Sequence, residues 1–271
     1  WPDGRVYDGE WKAGKPLNPV AAAQEETNKT DKQQVGNRYF NLIYDSEVST
    51  AIRKNAQKVV DVLTSLLTRY GLLPKQPVQV IVTADTEGFI NAVASMINFP
   101  RDSLEKEIGT KMGISVEEKR TIIVRGHPRQ ATHLSELCAL LPHEAFHQVM
   151  RQFSKVMSAY WWLEEGSAEY LRSLSIEEAR VGTIDVLVNF AEQKIQKAAS
   201  IPNTQRLVDH KEYNHLSPDF PTYPMSLVMV SRLIGDKDFG KVVSFYRLLD
   251  SGKSQDKSSS EAFGTPISTF M

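Results

Sequence analysis

Two histidines four residues apart, His143 and His147, stand inside an apolar stretch of this 271-residue chain. Leu134, Leu137, Cys138, Leu140 and Leu141 precede them or their neighbours, and Phe146, Val149, Met150 and Phe153 follow. At 3.6 residues per turn, positions four apart lie one turn apart on a single helix face. The stretch therefore predicts a mostly buried helix carrying two imidazoles side by side. Two buried imidazoles without partners are costly, and a shared metal ion would account for them. The run His143-Glu144-Ala145-Phe146-His147 has the HExxH pattern. Glu144 falls about 60° to one side of His147, where it can face a metal-bound water without being a ligand. Zinc lowers the pKa of such a water from about 16 to about 7, and a neighbouring carboxylate can then take its proton. Pro142 leaves two readings open. A helix starting near Leu134 is kinked by it, whereas a helix starting at Pro142 accommodates it in its first turn.

Downstream comes Trp161-Trp162-Leu163-Glu164-Glu165-Gly166-Ser167-Ala168-Glu169-Tyr170. HExxH followed by W-L-x-E-G-x-A-x-Y resembles the gluzincin metallopeptidases of the peptidase MA-like superfamily. The resemblance is strong over 143–170 and weak elsewhere in 38–270. It implies that Glu165, separated from His147 by 17 residues, completes a His143–His147–Glu165 site for one Zn2+ per chain. Glu164, about 100° away on the same helix, cannot face the metal together with Glu165. Glu169 is one turn beyond Glu165 and is expected to accept an imidazole N–H. Gly166 is expected to let its helix approach the HExxH helix closely.

The same resemblance implies a zincin-like α+β fold: a small mixed sheet, an active-site helix, then a mostly helical C-terminal part. It implies hydrolysis of a peptide or protein substrate with Glu144 as general base. By the analogy Tyr223, in Tyr223-Pro224-Met225-Ser226-Leu227, donates to the tetrahedral oxyanion, and Gly235-Asp236-Lys237-Asp238-Phe239 continues the family's order. The Thr121–Val124 strand would form the cleft edge and pair with extended substrate. His210 and His215 lie in the preceding loop. Ala262-Phe263-Gly264-Thr265-Pro266 resembles the start of the family's closing segment. No G-x-M-E-N-like run is present, which favours an endopeptidase. The family tilts the expected location toward export, and a single cysteine suits either an exported or a cytosolic protein.

Outside these motifs the chain divides into three parts. Residues 1–20, with Gly4-Arg5-Val6-Tyr7-Asp8-Gly9-Glu10-Trp11, resemble a single MORN-type repeat or a Gly-rich hairpin. Residues 21–37 are polar and aperiodic and read as a linker that includes a formal sequon, Asn28-Lys29-Thr30. Residues 38–271 read as one domain. In it, strands are expected at Tyr39–Tyr44, around Val78, Val80 and Val82, and at Thr121–Val124 with Gly126 closing it. Helices are expected through Ile52, Ala56, Val59, Leu63, Leu66, Leu67 and Tyr70, with Gly71 as C-cap, and through Phe89, Val93, Met96 and Ile97. Early mixing of strands and helices followed by helices alone gives the α+β class independently of the resemblance. Ser251–Ser260 is of low complexity and reads as a mobile loop. Trp1 in place of Met reads as a processed form or an excised fragment.

Composition excludes more than it assigns. Lys plus Arg number 32 against 33 Asp plus Glu, which argues against a general nucleic-acid binder. The lone cysteine, Cys138, precludes an internal disulfide and a cysteine-based zinc cluster, and its apolar neighbours mark it as packing. No apolar run reaches the roughly 18–20 residues of a membrane span. The alternative to a peptidase is a zinc-binding module without turnover, with the MORN-like start as its working scaffold; an intact Glu144 argues against it. A metal-free helical interaction domain is the third reading.

Overall fold

The structure is a computed structural model that describes residues 35–97, 99, 101–108, 111–125, 134–154, 160–235 and 238–270. The MORN-like stretch, the sequon and Gly126 lie outside the described residues. In chain order the elements are β1 (Val35–Gly36), β2 (Phe40–Tyr44), α1 (Thr50–Arg69), β3 (Val78–Thr83), α2 (Thr86–Ile97), α3 (Arg101–Ile108), β4 (Gly113–Val116) and β5 (Thr121–Arg125). Helices follow: α4 (Leu134–Phe153), α5 (Trp161–Glu178), α6 (Ile184–Gln196), α7 (His210–Leu216), α8 (Thr222–Ile234), α9 (Gly240–Asp250), α10 (Gln255–Phe263) and α11 (Ile267–Phe270). The class is α+β, with a small mixed sheet and a helical C-terminal part.

The strands lie in the order β1-β2-β3-β5-β4. β2, β3 and β5 run parallel, and β1 and β4 pair antiparallel at the two ends. β1 pairs Val35 with Leu42 and Gly36 with Asn41, so the sheet takes in the last residues of the stretch read as a linker. Side chains alternate across the pleat, and both faces are covered. Leu42, Val80, Val82, Ile122 and Val124 join the core shared with α1 and α4. Ile81, Ile114 and Ile123 point the other way and pack with Phe89, Val93 and Leu104 of α2 and α3.

α1 begins where Ser49 accepts from the Ile52 N–H. It ends with Gly71 at φ +65°, where Leu72 N–H bonds the Leu67 carbonyl, a Schellman closure that a Cβ would strain. α4 is continuous from Leu134 to Phe153 with Pro142 inside it, which settles the earlier alternative. Proline there cannot donate to the Cys138 carbonyl one turn back.

Three expectations are corrected. Thr121–Val124 is no cleft edge, because β5 is paired on both sides, to β3 and to β4. Among the described residues β4 pairs with β5 alone and is the terminal strand of the sheet. Ser251–Ser260 is no mobile loop either. Ser254 caps α10, Ser258 and Ser259 are buried, and Ser259 Oγ donates to the Thr265 carbonyl at 2.7 Å. Serine hydroxyls that find backbone carbonyls can be buried at little cost. Gly166, finally, faces α8 and not the HExxH helix. A Cβ on it would lie 2.3 Å from the Ser226 carbonyl oxygen and 2.6 Å from Val230 Cγ2.

Candidate metal centre

α4 and α5 lie against each other and build the site between them. Every residue of α4 from Leu141 to Met150 is buried, His143, Glu144 and His147 included. α5 answers with three buried carboxylates, Glu164, Glu165 and Glu169. His143, His147 and Glu165 each offer one ligand atom, all within 4.8 Å of one another, and so could hold a metal ion.

The side chains are arranged as two imidazoles gripped from behind. His143 Nδ1 lies 2.9 Å from Glu169 Oε1, and His147 Nδ1 lies 3.3 Å from Glu164 Oε1. A proton on each Nδ1 leaves each Nε2 with a lone pair. Both Nε2 atoms converge on Glu165, at 3.4 Å from His143 and 3.7 Å from His147. The first distance is to Glu165 Oε2 and the second to Oε1, and metal–ligand bonds of about 2.0–2.1 Å at tetrahedral angles put ligand atoms about 3.3 Å apart. His147 Nε2 and both oxygens of Glu165 are buried and make no hydrogen bond among the described residues. Buried polar atoms are rarely left so, and a two-nitrogen, one-carboxylate set suits zinc. The residues fit the group.

Without an ion the same carboxylates favour extra protons on both imidazoles, protons that a bound metal would displace. Burial opposes charge on His143, but the carboxylates of Glu165 and Glu169 outweigh it and hold this histidine well above its ordinary value. His147 is also raised, with burial opposing and the Glu165 charge favouring protonation. Burial would raise Glu169 too, but Arg172 and His143 beside it bring it down to about 2. Arg172 Nη1 donates to Glu169 Oε2 at 2.7 Å. Burial pushes Glu144 above the usual carboxylate range, against the charges of His143, His147 and Lys111. Four buried carboxylates thus crowd a small volume, a strong pull on any cation.

A cleft of about 270 Å³ opens beside the two α4 residues His143 and Glu144, with Lys111, Glu169, Arg172 and Tyr223 also on its walls. Glu144 Oε2 makes no hydrogen bond among the described residues. Gly113, first residue of β4, sits against it: a Cβ there would be 3.5 Å from Glu144 Cγ. Gln148 ties β4 to the same helix, donating to Ser115 Oγ at 2.7 Å and to the Thr121 carbonyl at 3.3 Å. Tyr223 is half-buried, its ring 6.0 Å from that of His143 and edge-on to Tyr213.

The structure brings His143, Glu144, His147, Glu165, Glu169 and Tyr223 together. It leaves out His210 and His215, which were expected in a loop but lie on α7, where Asp209 caps the helix start. His210 packs its ring 4.3 Å from Trp161, and His215 is exposed. Cys138 is buried in the core, and burial raises its thiol pKa. Sequence reasoning missed three things: the Glu164 contact with His147, and the cations Lys111 and Arg172 on the cleft. Only Glu164 left a signal, since a residue about 100° from Glu165 can reach the far side of an imidazole one turn along. No helix among the described residues is long and apolar enough to cross a membrane. The chain matches no protein-family model and no curated protein.

Proposed function

We propose that this chain is a zinc-dependent hydrolase of peptide bonds, of the gluzincin type its paired motifs resemble. One observation carries the reading. Two buried imidazoles, each backed by a carboxylate, converge with Glu165 next to a fourth carboxylate, Glu144, that lines an open cleft. His143 Nε2, His147 Nε2 and the Glu165 carboxylate would hold the ion. Zinc bound there supplies an acidified water and polarises a carbonyl.

The protein's own groups do the rest. Glu144 takes the proton of the attacking water on its carboxylate and delivers it to the leaving amine nitrogen. Its burial strengthens it as a base. Glu164 lies at hydrogen-bonding distance from His147 Nδ1, and Glu169 sets its charge 2.9 Å from His143 Nδ1; both favour a proton on Nδ1 and an Nε2 lone pair aimed inward. Tyr223 stands on the cleft wall, where its hydroxyl can donate to the oxygen of the tetrahedral adduct. Substrate backbone can add to β4, the terminal strand, whose Gly113 brings that strand up to Glu144. An internal segment of a longer peptide can lie along such an edge, which favours endopeptidase action.

The test is Glu144→Gln. Purified protein should carry one zinc per chain with or without this substitution, and the wild type should cleave a mixed library of unstructured peptides. The variant should lose at least a hundredfold, and up to about ten-thousandfold, of the rate, the usual worth of a general base. Full turnover by Glu144→Gln would refute the mechanism. Zinc without turnover on any peptide would favour a binding module.

A further inference from the structure

We propose that Arg172 makes this cleft a receptor for a substrate carboxylate, so that the hydrolase selects peptides carrying an acidic group beside the bond it cuts. The inference rests on the hydrolase reading and adds the substrate class. Arg172 comes one turn after Glu169 on α5 and lines the same cleft as His143 and Glu144. Among the described residues its guanidinium makes one bond, from Nη1 to Glu169 Oε2 at 2.7 Å. Nε is buried and has no partner there. A guanidinium carries five N–H donors in a rigid plane, so most of its hydrogen-bonding capacity is unspent.

The group is also aimed. Glu169 holds one edge of the fork and is itself held against His143 Nδ1. The guanidinium therefore sits at a fixed offset from the metal ligand, one carboxylate away. Its side chain keeps 33% of its exposure, so the outer edge remains reachable from the cleft. A carboxylate is the ligand that matches this edge, with two oxygens spaced for parallel N–H bonds. Lys111, on the segment leading into β4, adds a second positive charge to the cleft walls. The apolar lining of Met112, Ala139 and Leu140 keeps such a pair partly out of water, where it is stronger. The carboxylate can come from an Asp or Glu side chain near the scissile bond, or from the free C-terminus of a short peptide.

Zinc-loaded full chain and paired fluorogenic peptides separate the two sources. One series replaces Glu by Gln at each position flanking the cut, and the other replaces the C-terminal acid by its amide. Wild type should favour the acidic member of one pair at least tenfold in kcat/KM; the series in which this occurs identifies the source. Arg172→Gln should bring that ratio close to one, and Arg172→Lys should restore part of it. The ratio is the readout because Arg172 also steadies Glu169, and loss of that support slows both members alike.

The same pairs are titrated calorimetrically against zinc-loaded Glu144→Gln protein, with and without Arg172→Gln. No turnover, together with an acidic preference in binding that Arg172→Gln removes, refutes the peptidase reading and supports the carboxylate site. Turnover with ratios near one in every pair overturns the carboxylate site and leaves the peptidase standing. An acidic preference that survives Arg172→Gln overturns it as well, and no preference in either assay does the same.

Discussion

α1 and α5 are helices of similar length that the fold uses in opposite ways. α1 buries 7 of its 20 residues, all apolar, along one face, and its charged residues meet water. α5 buries 15 of its 18, and three of those are glutamates. A helix half in water can place charge anywhere on its outer face at little cost. A helix buried all round has no such face, so each carboxylate needs a donor or a cation. Glu169 has Arg172 and His143, and Glu164 has His147. Glu165 faces the Nε2 side of both imidazoles and makes no hydrogen bond of its own among the described residues. The comparison locates the chemistry: the helix that cannot solvate its acids is the one that holds the site.

The contrast can be broken most sharply by supplying or withholding the ion. Zinc at about a thousandfold excess over its Kd should stabilise the fold by about 4 kcal/mol. Chemical denaturation with and without chelator measures this, and Glu165→Ala should abolish the increment. Core substitutions in α1 should leave the increment intact while lowering the baseline.

Packing supplies the next largest effect. Gly166→Ala places a Cβ against the α8 backbone at Ser226, where relief requires moving a helix. A loss of about 3 kcal/mol is expected by thermal unfolding, at the upper end for overpacking. Gly71→Ala, at the end of α1, strains one positive φ in an otherwise accommodating place and should cost about 1 kcal/mol. Equal losses at the two positions would mean that α5 is no more tightly held than α1.

Between these two lie the carboxylates behind the histidines. Glu164→Gln and Glu169→Gln should each weaken zinc about tenfold to a hundredfold, the range for partners of metal-bound histidine. Competition with a chromophoric chelator reads this directly. Glu169→Gln should also lower the stability of the metal-free protein at neutral pH, because Arg172 and His143 hold that carboxylate ionised, with its pKa brought down to about 2, and the substitution leaves them uncompensated. A change of the same kind on the wet face of α1, Asp61→Asn, should move neither quantity by more than about 0.5 kcal/mol.

Some of this architecture was legible in one dimension. Ile52, Ala56, Val59, Leu63 and Leu66 recur at helical spacing, and α1 follows their count. The His143–His147 face is equally local, because four residues make one turn whatever surrounds them. β4 was not legible. Its run Gly113-Ile114-Ser115-Val116 is four residues long, and its two positions toward α4 are a glycine and a serine. They carry no apolar signal because they face Glu144 and Gln148 instead of a greasy core. The strand chosen in its place, Thr121–Val124, is apolar on both faces because it is interior, which is also why it cannot be an edge. α10 failed for a related reason: serines read as loop until their hydroxyls find carbonyls.

Within the site, the sequence alone determined that one helix face would carry His143, Glu144 and His147 and that a second helix would offer Glu164, Glu165 and Glu169 nearby. Which carboxylate meets which nitrogen was a tertiary decision. Adjacent residues on a helix differ by about 100°, so the roles depend on how α5 is rotated about its own axis. That rotation depends on a partner outside the motif, α8, whose Ser226 and Val230 lie against the motif's own Gly166. With α5 so turned, Glu165 faces both Nε2 atoms, Glu164 reaches behind His147, and Glu169 carries Arg172 to the cleft. Local spacing decides what a helix presents, and long-range packing decides to whom.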